Sequence, residues 1–260
     1  MNPADPPLLT PNDPPPVTLV NAGGHAPLVL TCEHGGRAVP ASLQGSAPPA
    51  KQMRRHIAYD PGAANVARAL AFRLDAPLTI QPFSRLVIDC NRPRQAPDLA
   101  SAESDGSVIS FNQSLDDDAL EVRWRAIHQP FHKAVSELIT ARGKPALLAV
   151  HSFTRQLQNQ PPRTMAIGLL SRQDKSFKER LRNEMLAIRS DLPVVLDAPY
   201  QIEDASDYTI PIHAEPRGLP HLLLEVRNDL ISDENGVTAM VDLLSSAVTA
   251  TLPSVTLPET

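Results

Sequence analysis

The chain has 260 residues, of which 42% are hydrophobic, and this is enough for one large α/β domain or at most two small ones. Its formal net charge of −5 and its lack of a basic stretch argue against a nucleic-acid partner. Its apolar runs all stay shorter than the ~18 residues of a membrane span, so no membrane partner is expected. The two cysteines, Cys32 and Cys90, are too few for a disulfide framework and predict a reduced, cytoplasmic protein.

The N-terminal segment is rich in proline, with seven prolines among the first sixteen residues. This composition favours an extended and poorly ordered chain. We therefore predict a proline-rich arm over residues 1–26 and a single folded domain over residues 27–260. No internal repeat and no linker divides that domain.

Seven short runs along the chain have the composition of β-strands. Most are apolar throughout, which is typical of strands that are covered on both faces of a sheet. The runs are 28–32, 78–82, 86–90, 146–150, 165–170, 194–196 and 222–226.

Helical patterns lie between several of these runs. Asp60 and Pro61 are suited to be the N-cap and first residue of an alanine-rich helix. Apolar residues then recur every three or four positions over 118–142, over 174–190 and over 237–248. Strands that alternate with helices predict an α/β three-layer sandwich with a mostly parallel central sheet. In such sheets, ligands bind beyond the carboxyl ends of the strands.

Three of the predicted strands carry chemically useful residues at or near their ends. The first leads into Glu33 and His34, the 146–150 run leads into His151, and the last contains Glu225. Two imidazoles, a carboxylate ligand and a free carboxylate base are the groups that a mononuclear zinc hydrolase uses. Zinc lowers the pKa of a bound water to about 7, and a nearby Glu can accept its proton. The pattern therefore indicates a zinc site at this edge of the sheet.

Each of these residues also has a purely structural interpretation. A His after a strand is often only a hydrogen-bonded loop residue, and Asp60 can be a helix cap alone. Gly35 and Gly36 suit a close approach to a ligand, but they suit a plain turn equally well. Arginines beside apolar strands can be surface charges, although they often have a carboxylate partner from the protein or from a substrate. The arginines concerned are Arg85, Arg92 and Arg227.

A second histidine pair lies on the predicted helix 118–142. His128 and His132 have the i, i+4 spacing of zinc proteases. Gln129 stands where the catalytic Glu of those enzymes would be, and Pro130 lies between the two histidines. These differences disfavour a metal role for the pair.

Five segments of the sequence together resemble the N-formylglutamate amidohydrolase family, and most of all its less characterised branch. They are TCEHGGRAVP, YDPGAANVARAL, FSRLVIDCNRP, HSFT and HLLLEVRNDL, in the order expected between about residues 28 and 232. The resemblance implies a zinc-exopeptidase-like α/β fold. It also implies hydrolysis of the N-formyl amide of an amino acid, which gives formate and glutamate in the reaction that names the family.

The order of the functional groups is similar to that of zinc carboxypeptidases, and this implies a role for each matching residue. His34 and His151 would be metal ligands, Glu225 the catalytic base, and Arg85 a further catalytic residue that stabilises negative charge. The residues implied to bind the carboxylates of the substrate are Asn91, Arg92, Arg227 and His213.

One position departs from the carboxypeptidase pattern. Those enzymes have a metal-binding Glu three residues after the first His, and here that position is Arg37. The third ligand must then be Glu33 or Asp60. Neighbours in an extended segment point in opposite directions, which counts against Glu33 beside His34. Asp60 belongs to one of the shared segments, so we expect Asp60 to be the third ligand.

The function expected from the resemblance is that of a zinc-dependent amidohydrolase. It would cleave the N-formyl or small N-acyl amide of an acidic amino acid such as N-formylglutamate, with a small-molecule substrate as its partner. An alternative enzyme is a zinc carboxypeptidase or amidase that acts on a peptide-like substrate. A non-catalytic alternative is a binder of acidic ligands through its arginines. The acyl group, the amino acid and the oligomeric state are left open.

Overall fold

The protein, in a computed structural model that describes residues 7–256, is built around a seven-stranded sheet. A two-stranded ribbon lies outside this sheet. The strands of the large sheet are β1 (Thr18–Val20), β2 (Leu28–Cys32), β3 (Leu78–Ile80), β6 (Ala146–Phe153), β7 (Ile167–Leu170), β8 (Val194–Leu196) and β9 (His221–Arg227). The strands of the ribbon are β4 (Glu103–Ser104) and β5 (Ser107–Val108).

The strand order in the large sheet is β1-β3-β2-β6-β9-β7-β8. The central strands β3, β2, β6 and β9 run parallel to one another. β1 is antiparallel to β3, and β7 is antiparallel to β9. The sheet is therefore mostly parallel, as predicted, and the carboxyl ends of β2, β6 and β9 lie side by side at one edge.

Helices cover both faces of the sheet, so the predicted three-layer α/β sandwich is confirmed. Alternate residues of β6 point into two different cores: Leu148 and Val150 face one, and Leu147 and Ala149 face the other. The helices are α1 (Ala63–Arg73), α2 (Asp117–Arg123), α3 (Gln129–Arg142), α4 (Ser176–Ile188) and α5 (Glu234–Thr256). The first core is closed by α1, α4 and α5, and the second core is closed by α3.

The N-terminal segment is part of the fold from residue 7 onward, contrary to the expected poorly ordered arm over 1–26. β1 pairs with β3 and completes that edge of the sheet. Leu8 is 9% exposed and packs in the second core, and its carbonyl accepts a hydrogen bond from Ser42 Oγ at 2.8 Å. Proline restricts the chain to extended conformations, and such conformations can still pack against a surface. Residues 1–6 and 257–260 of the predicted arm and domain lie outside the described part of the chain.

The predicted strand over 86–90 is wrong, because this segment forms a series of turns. Val87 N–H donates to the Ser84 carbonyl at 2.9 Å, and Asp89 N–H donates to the Leu99 carbonyl at 2.8 Å. Both edges of β3 are already paired, one with β1 and one with β2, so a strand that follows β3 finds no free neighbour there. The apolar side chains of the segment are buried in the second core instead.

The helix predicted over 118–142 is divided by a wide turn. α2 and α3 are joined by a π-helical segment over 124–128, where the Gln129 N–H donates to the carbonyl of Trp124. Pro130 follows at the beginning of α3 and has no N–H to donate to the preceding turn. The wide turn therefore lies where the regular hydrogen-bond pattern is interrupted.

Helix α5 has 23 residues and is apolar enough, by length and composition, to match a membrane span. In this fold it packs against α1 and α4, and Leu244, Ala247 and Val248 are fully buried. A core helix meets the same criterion, so the feature is weak evidence for a membrane.

Gly35 and Gly36 pack against the chain that leaves β3. A Cβ on Gly36 would lie 1.9 Å from the Pro82 carbonyl oxygen, and one on Gly35 would lie 2.5 Å from Ile80 Cγ2. Ala38 N–H donates to the Pro82 carbonyl at 3.0 Å, which holds the two backbones together. The close approach of two backbone segments is therefore sufficient to explain these glycines.

Gly36→Ala is expected to lower the free energy of unfolding by about 2 kcal/mol, because the new methyl group must displace a backbone carbonyl rather than a flexible side chain. Urea unfolding of the variant and of wild type measures this difference. Gly45→Ala is the matched control, since a Cβ at Gly45 meets no atom within 4 Å. Equal stabilities for the two variants would contradict the packing argument.

Candidate metal centre and active site

The carboxyl edge of the parallel strands brings the predicted site residues together. His151 lies in β6 and is paired in register with Glu225 of β9, so the two side chains are cross-strand neighbours. His34 follows β2, two residues beyond its end. The Asp60 N–H donates to the His34 carbonyl at 2.9 Å and thereby places Asp60 beside the imidazole.

Asp60 does not cap helix α1, contrary to the structural interpretation of the Asp60-Pro61 pair. The helix begins at Ala63, and the preceding residue, Gly62, has a φ of 83° and no side-chain cap. A Cβ at Gly62 would lie 2.5 Å from the carbonyl oxygen of Ile231. The Asp60 carboxylate is therefore free to face the sheet.

His34, Asp60 and His151 form a buried cluster whose candidate ligand atoms all lie within 4.8 Å of one another. Asp60 Oδ2 lies 3.0 Å from His151 Nδ1 and 3.4 Å from His34 Nδ1. Ligands bound tetrahedrally to zinc at about 2.0–2.1 Å are separated by about 3.3 Å. The separations in this cluster therefore fit a small metal ion bound between the three side chains.

The far nitrogen of each imidazole faces a different carboxylate. His34 Nε2 lies 2.7 Å from Asp89 Oδ1, and His151 Nε2 lies 3.1 Å from Glu33 Oε2. Metal-binding histidines commonly donate their other ring N–H to a carboxylate, which fixes the ring and its tautomer. Glu33 thus lies behind His151, on the side away from the cluster, whereas Asp60 lies between the two Nδ1 atoms.

The chemistry of the cluster also fits a cation. His34 Nδ1 is buried and has no hydrogen-bond partner in the described part of the chain. Burial opposes ionisation of Asp60, but the charge of His34 and the hydrogen bond from His151 hold its pKa below the ordinary value. A buried carboxylate beside an unpaired ring nitrogen is the type of donor set that zinc binds.

Asp89 links Arg85 to His34. Its Oδ2 accepts hydrogen bonds from Arg85 Nε at 2.9 Å and Nη2 at 2.6 Å, and its Oδ1 faces His34. Burial alone would raise the pKa of Asp89, but the Arg85 and His34 charges hold it well below the ordinary value. Arg85 Nη1 also lies 3.8 Å from Asp60 Oδ1. The sequence analysis gave Asp89 no role at His34, because the contact joins residues far apart along the chain.

Asp89→Asn is expected to weaken zinc affinity by about 10–100-fold, because the amide cannot replace the charge that orients His34. A competition titration of zinc against a chromogenic chelator measures the change. Asp191→Asn, at an exposed carboxylate that pairs with Arg189, is the control. Unchanged affinity in Asp89→Asn would show that His34 needs no such support.

Glu225 is the carboxylate beside the cluster that lacks a partner. It is 6% exposed, and its Oε2 has no hydrogen-bond partner in the described chain. Burial raises the pKa of Glu225 to about 8. With His34, Asp60 and His151, Glu225 lines a cavity of about 580 Å³. The position of Glu225 beside the cluster and its unpaired Oε2 suit the role of a general base.

Asn91 and Arg92 line the same cavity, but both are also held by the 206–209 segment. Asn91 Oδ1 accepts the backbone N–H groups of Tyr208 and Thr209, each at 3.1 Å. Arg92 donates to Asp98 at 2.7 Å and to the Ser206 carbonyl at 2.5 Å. Both residues therefore form this wall of the cavity, and part of their hydrogen-bonding capacity is already used within the protein.

Arg227 and His213 do not line the cavity, so the structure does not support their predicted contact with substrate. Arg227 Nε donates to Asp229 at 2.7 Å, because that carboxylate is two residues away and within reach. His213 Nε2 lies 2.9 Å from His132 Nδ1, in a buried cluster under α3. Among the cavity residues that were not predicted, His56 and Tyr200 carry titratable side chains and lie on loops without any strand-end pattern.

A buried His–Asp–His cluster with an adjacent unpaired Glu, at the carboxyl edge of a mostly parallel sheet, is typical of metal-dependent hydrolases. The family model of N-formylglutamate amidohydrolase matches residues 26–232. The chain therefore belongs to the N-formylglutamate amidohydrolase family, as the five sequence segments predicted.

Solved structures extend this comparison. The gene product Atu2144 from Agrobacterium tumefaciens is 33% identical, with a TM-score of 0.90, and the match covers 95% of this chain and 98% of that one. N-formylglutamate amidohydrolase from Ralstonia eutropha JMP134 is 20% identical, with a TM-score of 0.72, and the match covers 92% of this chain and 98% of that one. No curated protein sequence matches the chain. The shared fold extends over nearly the whole chain.

Proposed function

We propose that this protein is a zinc-dependent amidohydrolase that cleaves the N-acyl amide of an acidic amino acid, with N-formylglutamate as the reference substrate. Two observations support the proposal together: the chain belongs to the N-formylglutamate amidohydrolase family, and His34, Asp60 and His151 converge beside an unpaired Glu225. The convergence carries the most weight, because four segments far apart in sequence supply these four residues. The buried, unpaired cysteines agree with a cytoplasmic protein.

The three cluster residues would hold zinc, and zinc would supply Lewis acidity and a water that is easily deprotonated. Glu225 accepts the proton of the attacking water through Oε2 and passes it to the nitrogen that leaves. Arg85, held by Asp89, lines the cavity with its Nη1 3.8 Å from Asp60 Oδ1, and we assign it to the stabilisation of negative charge that develops on the carbonyl oxygen. The products are a carboxylic acid, which is formate for a formyl group, and the free amino acid.

The substrate carboxylate is assigned to Arg92, with Asn91 beside it. Arg92→Lys is expected to raise KM for N-formylglutamate by about ten-fold or more, because an ammonium cannot reproduce the planar, two-pronged contact of a guanidinium. Steady-state kinetics of formate release measure KM. Arg94→Lys, whose side chain pairs with Glu121 and does not line the cavity, is the matched control. If both variants keep the wild-type KM, Arg92 only supports the cavity wall.

The decisive experiment combines metal analysis with turnover. Purified protein is expected to contain about one zinc per chain and to release formate from N-formylglutamate. Zinc with cleavage of neutral or basic C-terminal residues from peptides, but without release of an acidic amino acid from any N-acyl compound, would favour the carboxypeptidase alternative. Tight dicarboxylate binding without zinc or turnover would favour the non-catalytic binder. Either of these outcomes would overturn the proposed reaction.

A further inference from the structure

A second, larger groove adjoins the cavity that contains Glu225. The groove has a volume of about 760 Å³, and it shares His56 and Thr154 with the cavity of about 580 Å³ that contains Glu225. Thr154 follows the end of β6, three residues beyond His151. The groove therefore begins beside the proposed reaction centre.

Asp105 joins three segments into the wall of this groove. Its Oδ2 accepts a hydrogen bond from Arg55 Nη2 at 2.6 Å and lies 3.4 Å from His56 Nε2. Its Oδ1 accepts the backbone N–H of Gln158 at 3.2 Å. Arg55 also donates to Ser107 Oγ at 2.7 Å. The groove is thus held by specific contacts between the 52–56 segment, the β4–β5 ribbon and the loop after β6.

The side chains that line the groove are almost all polar. Leu157 is the aliphatic exception among them. The amide groups can both donate and accept hydrogen bonds, which suits a ligand with alternating N–H and C=O groups. The amide-bearing residues are Gln52, Gln156, Gln158 and Asn159.

The position of the groove relative to Arg92 determines which part of a substrate would enter it. Asn91 and Arg92 line the cavity but not the groove, whereas His56 and Thr154 line both. Thr154 lies three residues beyond His151, so a substrate with its carboxylate at Arg92 and its amide carbon near His151 can extend its acyl group past Thr154 into the groove. The acyl side of the substrate therefore faces the groove.

A formyl group leaves this space unused. N-formylglutamate has about twelve non-hydrogen atoms and needs roughly 300 Å³ at about 20–30 Å³ per atom, which is less than the first cavity alone provides. Pockets of several hundred Å³ commonly enclose most of their ligand. Together, the two spaces are large enough for a much longer acyl group.

We propose that the natural substrate carries a peptide-like acyl group of several residues on its acidic amino acid, and that this group binds in the polar groove. This inference rests on the proposed function and specifies its substrate. Water adds to the carbonyl carbon of the scissile amide while the C–N bond breaks. Both protons of the water end on the amino group of the released amino acid, which leaves as an ammonium, and the acyl product leaves as a carboxylate.

Release of glutamate can be compared for N-formylglutamate, N-acetylglutamate and N-acetyl-alanyl-alanyl-glutamate, since all three yield the same product. We expect kcat/KM to be at least ten-fold higher for the peptide than for the formyl compound. If N-formylglutamate is the best of the three, the inference is overturned and the proposed function stands. If no compound is cleaved by the zinc-loaded protein, the proposed function itself fails, and the inference fails with it.

A variant that fills the groove tests its role directly. Gln156→Trp is expected to lower the ratio of kcat/KM for the peptide to kcat/KM for N-formylglutamate by at least ten-fold. Gln160→Trp is the matched control, because Gln160 is an exposed glutamine of the same loop that does not line the groove, and it should leave the ratio unchanged. Melting temperatures verify that both variants are folded. An unchanged ratio in folded Gln156→Trp overturns the assignment of the groove to the acyl group.

Discussion

Replacing His34 or His151 by Ala should remove zinc from the protein and abolish hydrolysis, while the fold persists. In the proposed zinc site each imidazole would supply one of three ligands, with Asp60 as the third, and a site with two remaining ligands binds zinc far more weakly. We expect the affinity to fall by more than about 100-fold, beyond the usual effect of losing an outer partner of a ligand. Metal content after dialysis, measured by atomic emission, and formate release give the two readouts.

The control for both variants is His25→Ala, because the His25 side chain is 92% exposed and its Nδ1 pairs with Asp75 at 3.1 Å. Circular dichroism and melting temperature establish that the variants remain folded. Full zinc occupancy in both His34→Ala and His151→Ala would show that the cluster is not the metal site. Loss of zinc in only one of them would mean that the other histidine has a different role.

Glu225→Gln should keep the zinc and lose at least ~10²-fold in kcat, which is the usual contribution of a general base. Glutamine has nearly the same size and preserves the packing of β9, but its amide cannot accept the proton of the attacking water. The present carboxylate is buried, and no donor in residues 7–256 pairs with its Oε2. Single-turnover and steady-state rates of formate release measure the effect.

Glu137→Gln, at an exposed residue of α3 that pairs with Lys133, is the matched control. It should retain both zinc and kcat. A near-normal rate in Glu225→Gln would remove Glu225 from the chemistry and leave it as a buried partner of His151. Loss of zinc together with the rate would instead place Glu225 among the ligands.

Asp89 contacts both the proposed metal ligand His34 and the residues that are proposed to bind the substrate. Asp89 Oδ1 faces His34 and also accepts the backbone N–H of Asn91 at 2.8 Å, next to Arg92. Its Oδ2 accepts both hydrogen bonds of Arg85. A change at Asp89 would therefore act on the proposed metal ligand His34 and on the proposed carboxylate-binding residues together, whereas a change at Arg92 would act on the carboxylate-binding residues alone.

The sequence by itself determined the class of fold and the residues at the strand ends. Strands that are buried on both faces appear in the sequence as short apolar runs. This local pattern predicted β2, β6 and β9 at the correct positions. Because parallel strands present their carboxyl ends at one edge, His34, His151 and Glu225 were expected to meet there. Asp60 was predicted at this site because of the family resemblance, and the structure places it in the same cluster.

Only the tertiary structure decided pairings and the direction of long side chains. The 86–90 run has the composition of a strand, but both edges of β3 are already paired with other strands. Which strands pair with those edges cannot be read from the local sequence. Arg227 and His213 have suitable chemistry, but each finds a nearer partner in the fold, Asp229 and His132 respectively. Likewise, the groove beside His56 exists because Asp105 joins three distant segments. Such contacts depend on which surfaces the folded chain brings together, and no spacing along the sequence reports them.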